Sequence, residues 1–477
     1  MRQHSQSFSQ RKSDVRRARS ARRKPQRSGR KPNSSAAESQ AVEPSGFLAA
    51  WKQLVAAIVL PVVARRRGRK PRVVLDHLLA ALVYHVMNPI GTLADHFATL
   101  FKDSLCDSAC SDRRARLPWQ IFADLMRRVL RPLANRRRHP GAYWRGWRLG
   151  ALDGTQHSLT NTPANNGALP KAKARRGRCA FPKITTSVLL ELGLHNPLAA
   201  AVGHNGQSEW ELSLSLLAQL PKKMLLLADR LSGCAAFASV ALRACRRVGS
   251  HFLFRARTQI KAQVIRRFKD GSRLVRVPVR RKGKPRQIVE WLELREIRAM
   301  LHRKGYRSIE LRLWTTLLDP KEAPAQELVA LYAQRWEHEL FYRELKRQLR
   351  RSGLLQSHTV TTAAQEIAAL MLAAALLARE RDRAAAGQVP VLRVSFVKLL
   401  ELLRPLWLVL ALGDDLLSEG QKEQLTERFY ERARGCLTPK RRLRSCPRKV
   451  RQPVSGWPRL LKNEYCEEPV TFTFVEP

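Results

Sequence analysis

The sequence predicts an α/β fold, a mixed sheet sandwiched by helices and flanked along the chain by helical segments. Three observations predict it. Apolar residues recur every three or four positions from Phe47 to about Arg138, and again beyond Gly353. Between these stretches the period changes to short apolar runs, WRLGALDG, ITTSVLLELGL, PLAAAVG and MLLLAD, each bounded by turn residues. Strands and helices that alternate in this way pack in layers around one sheet.

The elements follow in order. LAAWKQLVAAIVL and VVLDHLLAALVYHVM carry helical periodicity, with Thr92 and Ser111 as N-cap candidates for the helices that follow. Such short helices with basic connections (ARRRGRKPR, Arg113, Arg114, Arg116) suit a DNA-binding module, and equally an ordinary bundle. WRLGALDG reads as a strand ending at Asp153 and Gly154. The next two apolar runs form a hairpin around His195-Asn196-Pro197. Ser208 and Glu211 make a capping box that opens a helix stopping at Pro221. MLLLAD is a short strand ending at Asp229, and a helix follows from about Ala235 to Arg247. From His251 the chain is β-rich, with a turn at Asp270-Gly271, and IELRLWTTLL leads to Pro324 at the start of a long helix. The remainder is helical, rich in Ala and Leu, and closes on a basic tail.

The balance of charge narrows the partners. The 477 residues carry 88 Lys and Arg against 39 Asp and Glu, a net charge of +49. Without residues 1–45 it is still +40 (76 basic against 36 acidic), so the excess belongs to the folded part. A field of that size fits a polyanion, nucleic acid first, because neutralised phosphates release counterions. An acidic membrane fits less well, since the longest apolar run, Ile367 to Ala378, is too short to span a bilayer. Residues 1–45 have few large apolar groups and read as a disordered basic arm. No apolar segment follows that basic start, so no signal peptide is expected and the chain is expected in the cytoplasm, with the nucleoid. Eight cysteines lack zinc spacing and read as reduced thiols.

Three carboxylates stand out by position. Asp153 and Asp229 each follow an apolar strand, where α/β sheets place their sites, and Glu339 lies on the long helix after a later strand. Each has a plainer reading. An Asp before Gly is a common turn residue, Asp229 could cap the next helix, and Glu337 and Glu344 compete with Glu339. If the strands are neighbours the three acids converge, and oxygen-only ligation suits Mg²⁺, or Mn²⁺ in its place. Two such ions about 4 Å apart support phosphoryl transfer. On the helix ELVALYAQRWEHELFYRELKRQL, Arg335, Glu339 and Lys346 fall within roughly 60° of Tyr332 at about 100° per residue. That stripe would set cations and an aromatic hydroxyl beside the acids, although a charged stripe is more often a solvated face.

The spacing Y-x2-R-x3-E-x6-K at Tyr332, Arg335, Glu339 and Lys346 resembles the signature of the insertion sequence 4 family of bacterial DDE transposases. LDGT at 152–155, LLADR at 226–230, TTLLDP before the helix and a basic, proline-containing tail at 441–453 resemble that family in the same order. The resemblance spans roughly residues 50–460. It implies a ribonuclease H-like core in two parts, 146–250 and 308–375, split by a β-rich insertion at 251–307. A helical DNA-binding segment at 46–145 would precede the core and a helical region with a basic tail, 376–477, would follow it. Asp153, Asp229 and Glu339 would be the metal-binding triad, with Tyr332, Arg335 and Lys346 contacting DNA beside it. Arg230 would support Asp229 or bind phosphate. Trp291, the one tryptophan of the insertion, would stack on a flipped base if it is not a core residue. The implied partners are double-stranded DNA, terminal inverted repeats and target alike, and a second copy of the chain as a homodimer. The implied reaction is end cleavage followed by strand transfer. A nuclease that cuts without joining and a non-catalytic DNA-binding derivative share most of these features. One residue pattern departs from the family, LADRLSG, where an aromatic is expected after Arg-Gly. No Gly-rich phosphate loop is present, so no nucleotide cofactor is expected.

Overall fold

The computed structural model describes residues 46–56, 58–59, 74–88, 90–174, 177–281, 283–302, 308–350, 352–439 and 471–474. The basic arm, the ARRRGRKPR connection and the 441–453 tail lie outside the described residues. The centre is a mixed sheet. Its main strands are β1 (Trp147–Ser158), β2 (Lys183–Glu191), β3 (Asn196–Val202), β4 (Met224–Ala228), β5 (His251–Arg255), β6 (Gln263–Arg267), β7 (Arg273–Arg281), β8 (Lys284–His302) and β9 (Ile309–Thr315). They lie in the order β3-β2-β1-β4-β5-β9-β8-β7-β6. The first three are an antiparallel meander. β4 pairs parallel with β1, and β5 parallel with β4. All later pairings are antiparallel.

Burial explains the apolar runs. Every residue of β4 is buried, as expected of a parallel strand covered on both faces. Leu152, Met224, Leu226 and Phe254 face the helices Glu209–Leu216 and Ala235–Arg247. Leu149, Ala151, Leu225 and Leu227 belong to a second core, shared with the helices of both ends of the chain. Its axis is the helix Val360–Ala385, on which Leu75–Met87 and Trp119–Val129 pack. That helix has the length and apolarity of a membrane span, but 89% of its apolar window is buried inside the protein. From Gly46 onward the described residues form one compact unit.

Three local expectations are corrected. β1 does not end at Asp153 and Gly154; antiparallel pairing with β2 carries it on to Ser158, opposite Lys183. Ser111 is no N-cap, because its helix already starts at Asp107 after Cys106, whereas Thr92 forms a full capping box with Asp95. β5, which the sequence groups with the insertion, belongs to the central sheet through its parallel ladder to β4.

The turn of the β6–β7 hairpin is anchored to the long helix. Asp270 accepts from the Ala325 amide at the helix start and pairs with the fully buried guanidinium of Arg295. Arg295 also donates to the carbonyls of Leu317, Asp319 and Ala323 just ahead of the helix. Burial alone would raise the Asp270 carboxyl, but the Ser272 amide and hydroxyl and Arg295 hold it below the ordinary range. Removing it strands a buried cation, so Asp270→Ala is expected to cost about 3–5 kcal/mol in urea denaturation at pH 7. Because the carboxyl's folded-state value is depressed, this contribution fades as pH falls below about 4, and the two proteins should converge there.

Candidate active site

One register places two acids side by side. The parallel ladder of β1 and β4 ends with Leu152 opposite Ala228, so the next residues, Asp153 and Asp229, stand together at its carboxyl end. Side-chain alternation puts both on the face of Ala151 and Leu227, the face covered by the long helix. Burial raises the Asp153 carboxyl to about 7; Arg335 opposes this and Asp229 adds to it. The Gly154 amide donates to Asp153 Oδ1 at 2.9 Å, and Asp229 Oδ1 accepts from the Leu231 amide at 2.8 Å.

The helix bearing the four spaced residues is irregular. It runs as α-helix over Ala325–Tyr332, tightens to a 3₁₀ turn at Ala333–Arg335, resumes at Trp336–Arg343 and widens to a π turn at Glu344–Leu349. The four residues nevertheless address the edge where the acids stand. The Tyr332 hydroxyl donates to the Ala228 carbonyl at 3.2 Å, and burial pushes it up to about 12. Arg335 bridges Asp153 Oδ2 at 3.4 Å and Glu339 Oε1 at 2.8 Å. Lys346 donates to the Thr155 hydroxyl and, at 2.6 Å, to the Gln156 carbonyl. Burial, then the charges of Arg350 and Lys183, pull its ammonium down to about 8. The stripe is therefore no solvated face: Tyr332 is buried, and Arg335 and Lys346 are each tied to β1.

Glu339 meets Asp153 through the Arg335 guanidinium. Among the described residues no three acids, histidines or cysteines stand at metal-ligand spacing. Asp153 and Asp229 do suit a hard cation, being two adjacent carboxylates of which one is disfavoured as an anion by burial. Glu339 would join them by exchanging its bond to Arg335. Arg230 is exposed at the loop after Asp229, and its carbonyl accepts from Arg257. Trp291 is 43% exposed, opposite Pro278 on β7, so it is not a core residue.

The structure adds residues that the sequence did not single out. The buried Tyr342 hydroxyl donates to the Asp153 carbonyl at 2.8 Å, tying helix to strand at the site itself. His338 lies beside it, bonded to the Val188 carbonyl at 3.0 Å and held neutral by burial, which pushes it down to about 3. Both sit on the helical face of Phe341 and Leu345, and an inward stripe of that kind was their only signal. Glu209, the first residue of its helix, packs its carboxyl against Gly154.

The comparisons with known proteins cover this part of the chain. The family described as Transposase DDE domain matches residues 144–377, from just before β1 to within the helix Val360–Ala385. The chain carries a transposase DDE domain and is a DNA-cleaving enzyme of that class. It is also 26% identical over 318 residues to "Transposase InsG for insertion sequence element IS4" of Escherichia coli (strain K12), covering 65% of this chain and 70% of that protein. With the Y-x2-R-x3-E-x6-K spacing, these likenesses support an insertion sequence 4 type of DDE transposase.

Tyr342→Phe removes one buried donor and leaves the Asp153 carbonyl short of a partner. It is expected to lower stability by about 1–2 kcal/mol in urea denaturation, with the fold unchanged by circular dichroism.

Proposed function

We propose that this transposase cleaves DNA at the ends of its insertion sequence and transfers the freed 3′-hydroxyl strands to target DNA, with Asp153, Asp229 and Glu339 as its catalytic carboxylates. The observation that carries this is the register that sets Asp153 beside Asp229 under the helix bearing Glu339. DDE transposases use divalent metal ions; here the three carboxylates would hold two Mg²⁺, or Mn²⁺ as substitute. Such ions supply an activated water and charge to stabilise the leaving oxygen.

The chain's own residues do the rest. Tyr332 and Tyr342 tie the helix to the end of β4 and the middle of β1 by hydrogen bonds to the Ala228 and Asp153 carbonyls. Arg335 holds Glu339 in reach and offers its guanidinium to the phosphate beside the cut. Lys346, with Lys183 and Arg350 near it, receives the next phosphate along β1. Tyr332 acts here by positioning, since its hydroxyl is buried on a carbonyl. Arg230 and Trp291 are exposed and free to meet DNA, the first at a phosphate and the second by stacking on an unpaired base.

The strand order β3-β2-β1-β4-β5 with helices on both faces supports a ribonuclease H-like core. We place the start of its insertion after Arg255, because β5 lies within the parallel ladder. The helices before β1 and the basic arm would hold duplex DNA, two copies would assemble on paired ends, and the reaction would take place in the cytoplasm without a nucleotide cofactor.

DNA carrying the gene's own flanks, incubated with Mg²⁺, should give nicks at the element ends and joined product. Asp153→Asn and Glu339→Gln should lower both by about two to three orders of magnitude or more while leaving end binding close to wild type. Nicking without joining would make the protein a nuclease, and lost binding would make these acids structural. A second test uses pH. The Lys346 ammonium is charged below pH 8 and neutral above, so end binding should weaken by up to about tenfold from pH 7 to 9. Lys346→Arg should flatten that dependence.

A further inference from the structure

Two acids of the long helix lie on a different side from Glu339. At about 100° per residue, Glu337 is roughly 160° around the helix from Glu339, and Glu344 is within about 20° of Glu337. Both meet one ring on the β2–β3 hairpin. His195 Nε2 is 2.9 Å from Glu337 Oε2, and His195 Nδ1 is 2.6 Å from Glu344 Oε2. The ring and Glu344 are both buried. A neutral imidazole has one N–H and cannot donate to two carboxylates at once, whereas the imidazolium can. Burial opposes that charge, but Glu344 and the hydrogen bonds to Glu337 and Glu344 outweigh it and raise the imidazole above its ordinary range. Arg381, from the helix Val360–Ala385, meets the other oxygen of Glu344 at 3.3 Å. His338, the residue after Glu337, is neutral and bonded to the Val188 carbonyl. Leu194, Phe341, Leu377 and Phe396 line the small cavity beside the ring.

These contacts bracket the functional part of the helix. Glu337 precedes Glu339 by two residues, and Glu344 is the first residue of the π turn that carries Lys346. The same segment is tied to β1 by Arg335 and Tyr342. A helix held from one side can still roll; held from two, it keeps the side chains between at one angle. His195 has φ +54°, in the left-handed region that a residue with a Cβ rarely adopts, at the turn between two largely buried strands. We propose that His195, shared as an imidazolium between Glu337 and Glu344, is a positioning residue of the cleavage reaction and sets the angle at which the helix presents Glu339 and Lys346. This rests on the reading of Glu339 as a catalytic carboxylate. When the ring loses its proton, one nitrogen sets a lone pair against a carboxylate, and that hold on the helix is released. Because the folded-state value is raised, the hold is complete below about pH 6.5 and is lost as pH rises through the folded value.

The test is single-turnover nicking of end DNA by the full chain, in Mg²⁺ and at saturating DNA, from pH 6 to 10. His195→Gln keeps a donor and cannot carry the charge. It should nick about tenfold or more slowly at pH 7 while binding end DNA close to wild type. Its rate should also fall less steeply with rising pH than that of wild type, because one ionisation is gone. Glu337→Gln changes a half-buried acid and spares the core; it should move the alkaline fall about one pH unit lower. Should His195→Gln fail to fold, the Glu337→Gln profile decides alone. A His195→Gln rate that equals wild type, or runs parallel to it at every pH, would overturn the proposal and make the network structural. An alkaline fall unmoved in Glu337→Gln would overturn it equally. Glu339→Gln separates this from the parent reading. If it nicks like wild type, the catalytic assignment itself fails; if it alone is inactive while the other two variants match wild type at every pH, only the role of His195 falls.

Discussion

The candidate site depends on a single strand register, Leu152 opposite Ala228 in the parallel ladder of β1 and β4. Slipping that ladder by one residue would turn one of the two aspartates to the other face and set its apolar neighbours at the site. The register is held by burial on both sides, since Leu152, Met224, Leu226 and Ala228 fill one core while Ala151, Leu225 and Leu227 fill the other. The candidate site thus stands at the end of a parallel ladder whose position is fixed by a strongly buried part of the protein. Carboxylates that repel one another can be kept together only by a frame of that stiffness.

The helix above the acids is held by separate devices along its length. At its start, Asp270 and Arg295 bind the hairpin turn to the first helical amide and the preceding carbonyls. Further along, Glu344 joins His195 at 2.6 Å and Arg381 at 3.3 Å, and His195 joins Glu337 at 2.9 Å. This buried network ties the π turn to the β2–β3 hairpin and to the helix Val360–Ala385. The central contacts of the helix, Tyr332, Arg335 and Tyr342 on β4 and β1, lie between these anchors. Rotation of the helix would break either end, which is how distant residues can hold Glu339 in place.

Much of this was legible because apolar runs and spacing report on burial. MLLLAD could only be a covered strand, and the helix Ala235–Arg247 has the bounds its periodicity gives. The stripe of Tyr332, Arg335, Glu339 and Lys346 was visible as chemistry out of place on an amphipathic helix. What was hidden depends on partners far along the chain. The extension of β1 past Gly154 comes from β2, and the membership of β5 in the central sheet comes from β4. Ser111 looked like a cap because its neighbours are polar, but the helix already begins at Asp107. The 3₁₀ turn at Ala333–Arg335 and the π turn at Glu344–Leu349 left no local sign in the sequence.

Asp153, Asp229 and Glu339 are proposed to meet around two divalent ions. Fe²⁺ with ascorbate and peroxide, added to the full chain in place of Mg²⁺, cuts backbone within a few ångströms of the bound ion. Cuts are expected near residues 153, 229 and 339, suppressed by excess Mg²⁺ and lost in Asp153→Asn. Cuts confined to other segments, or cuts that persist in that variant, would contradict it.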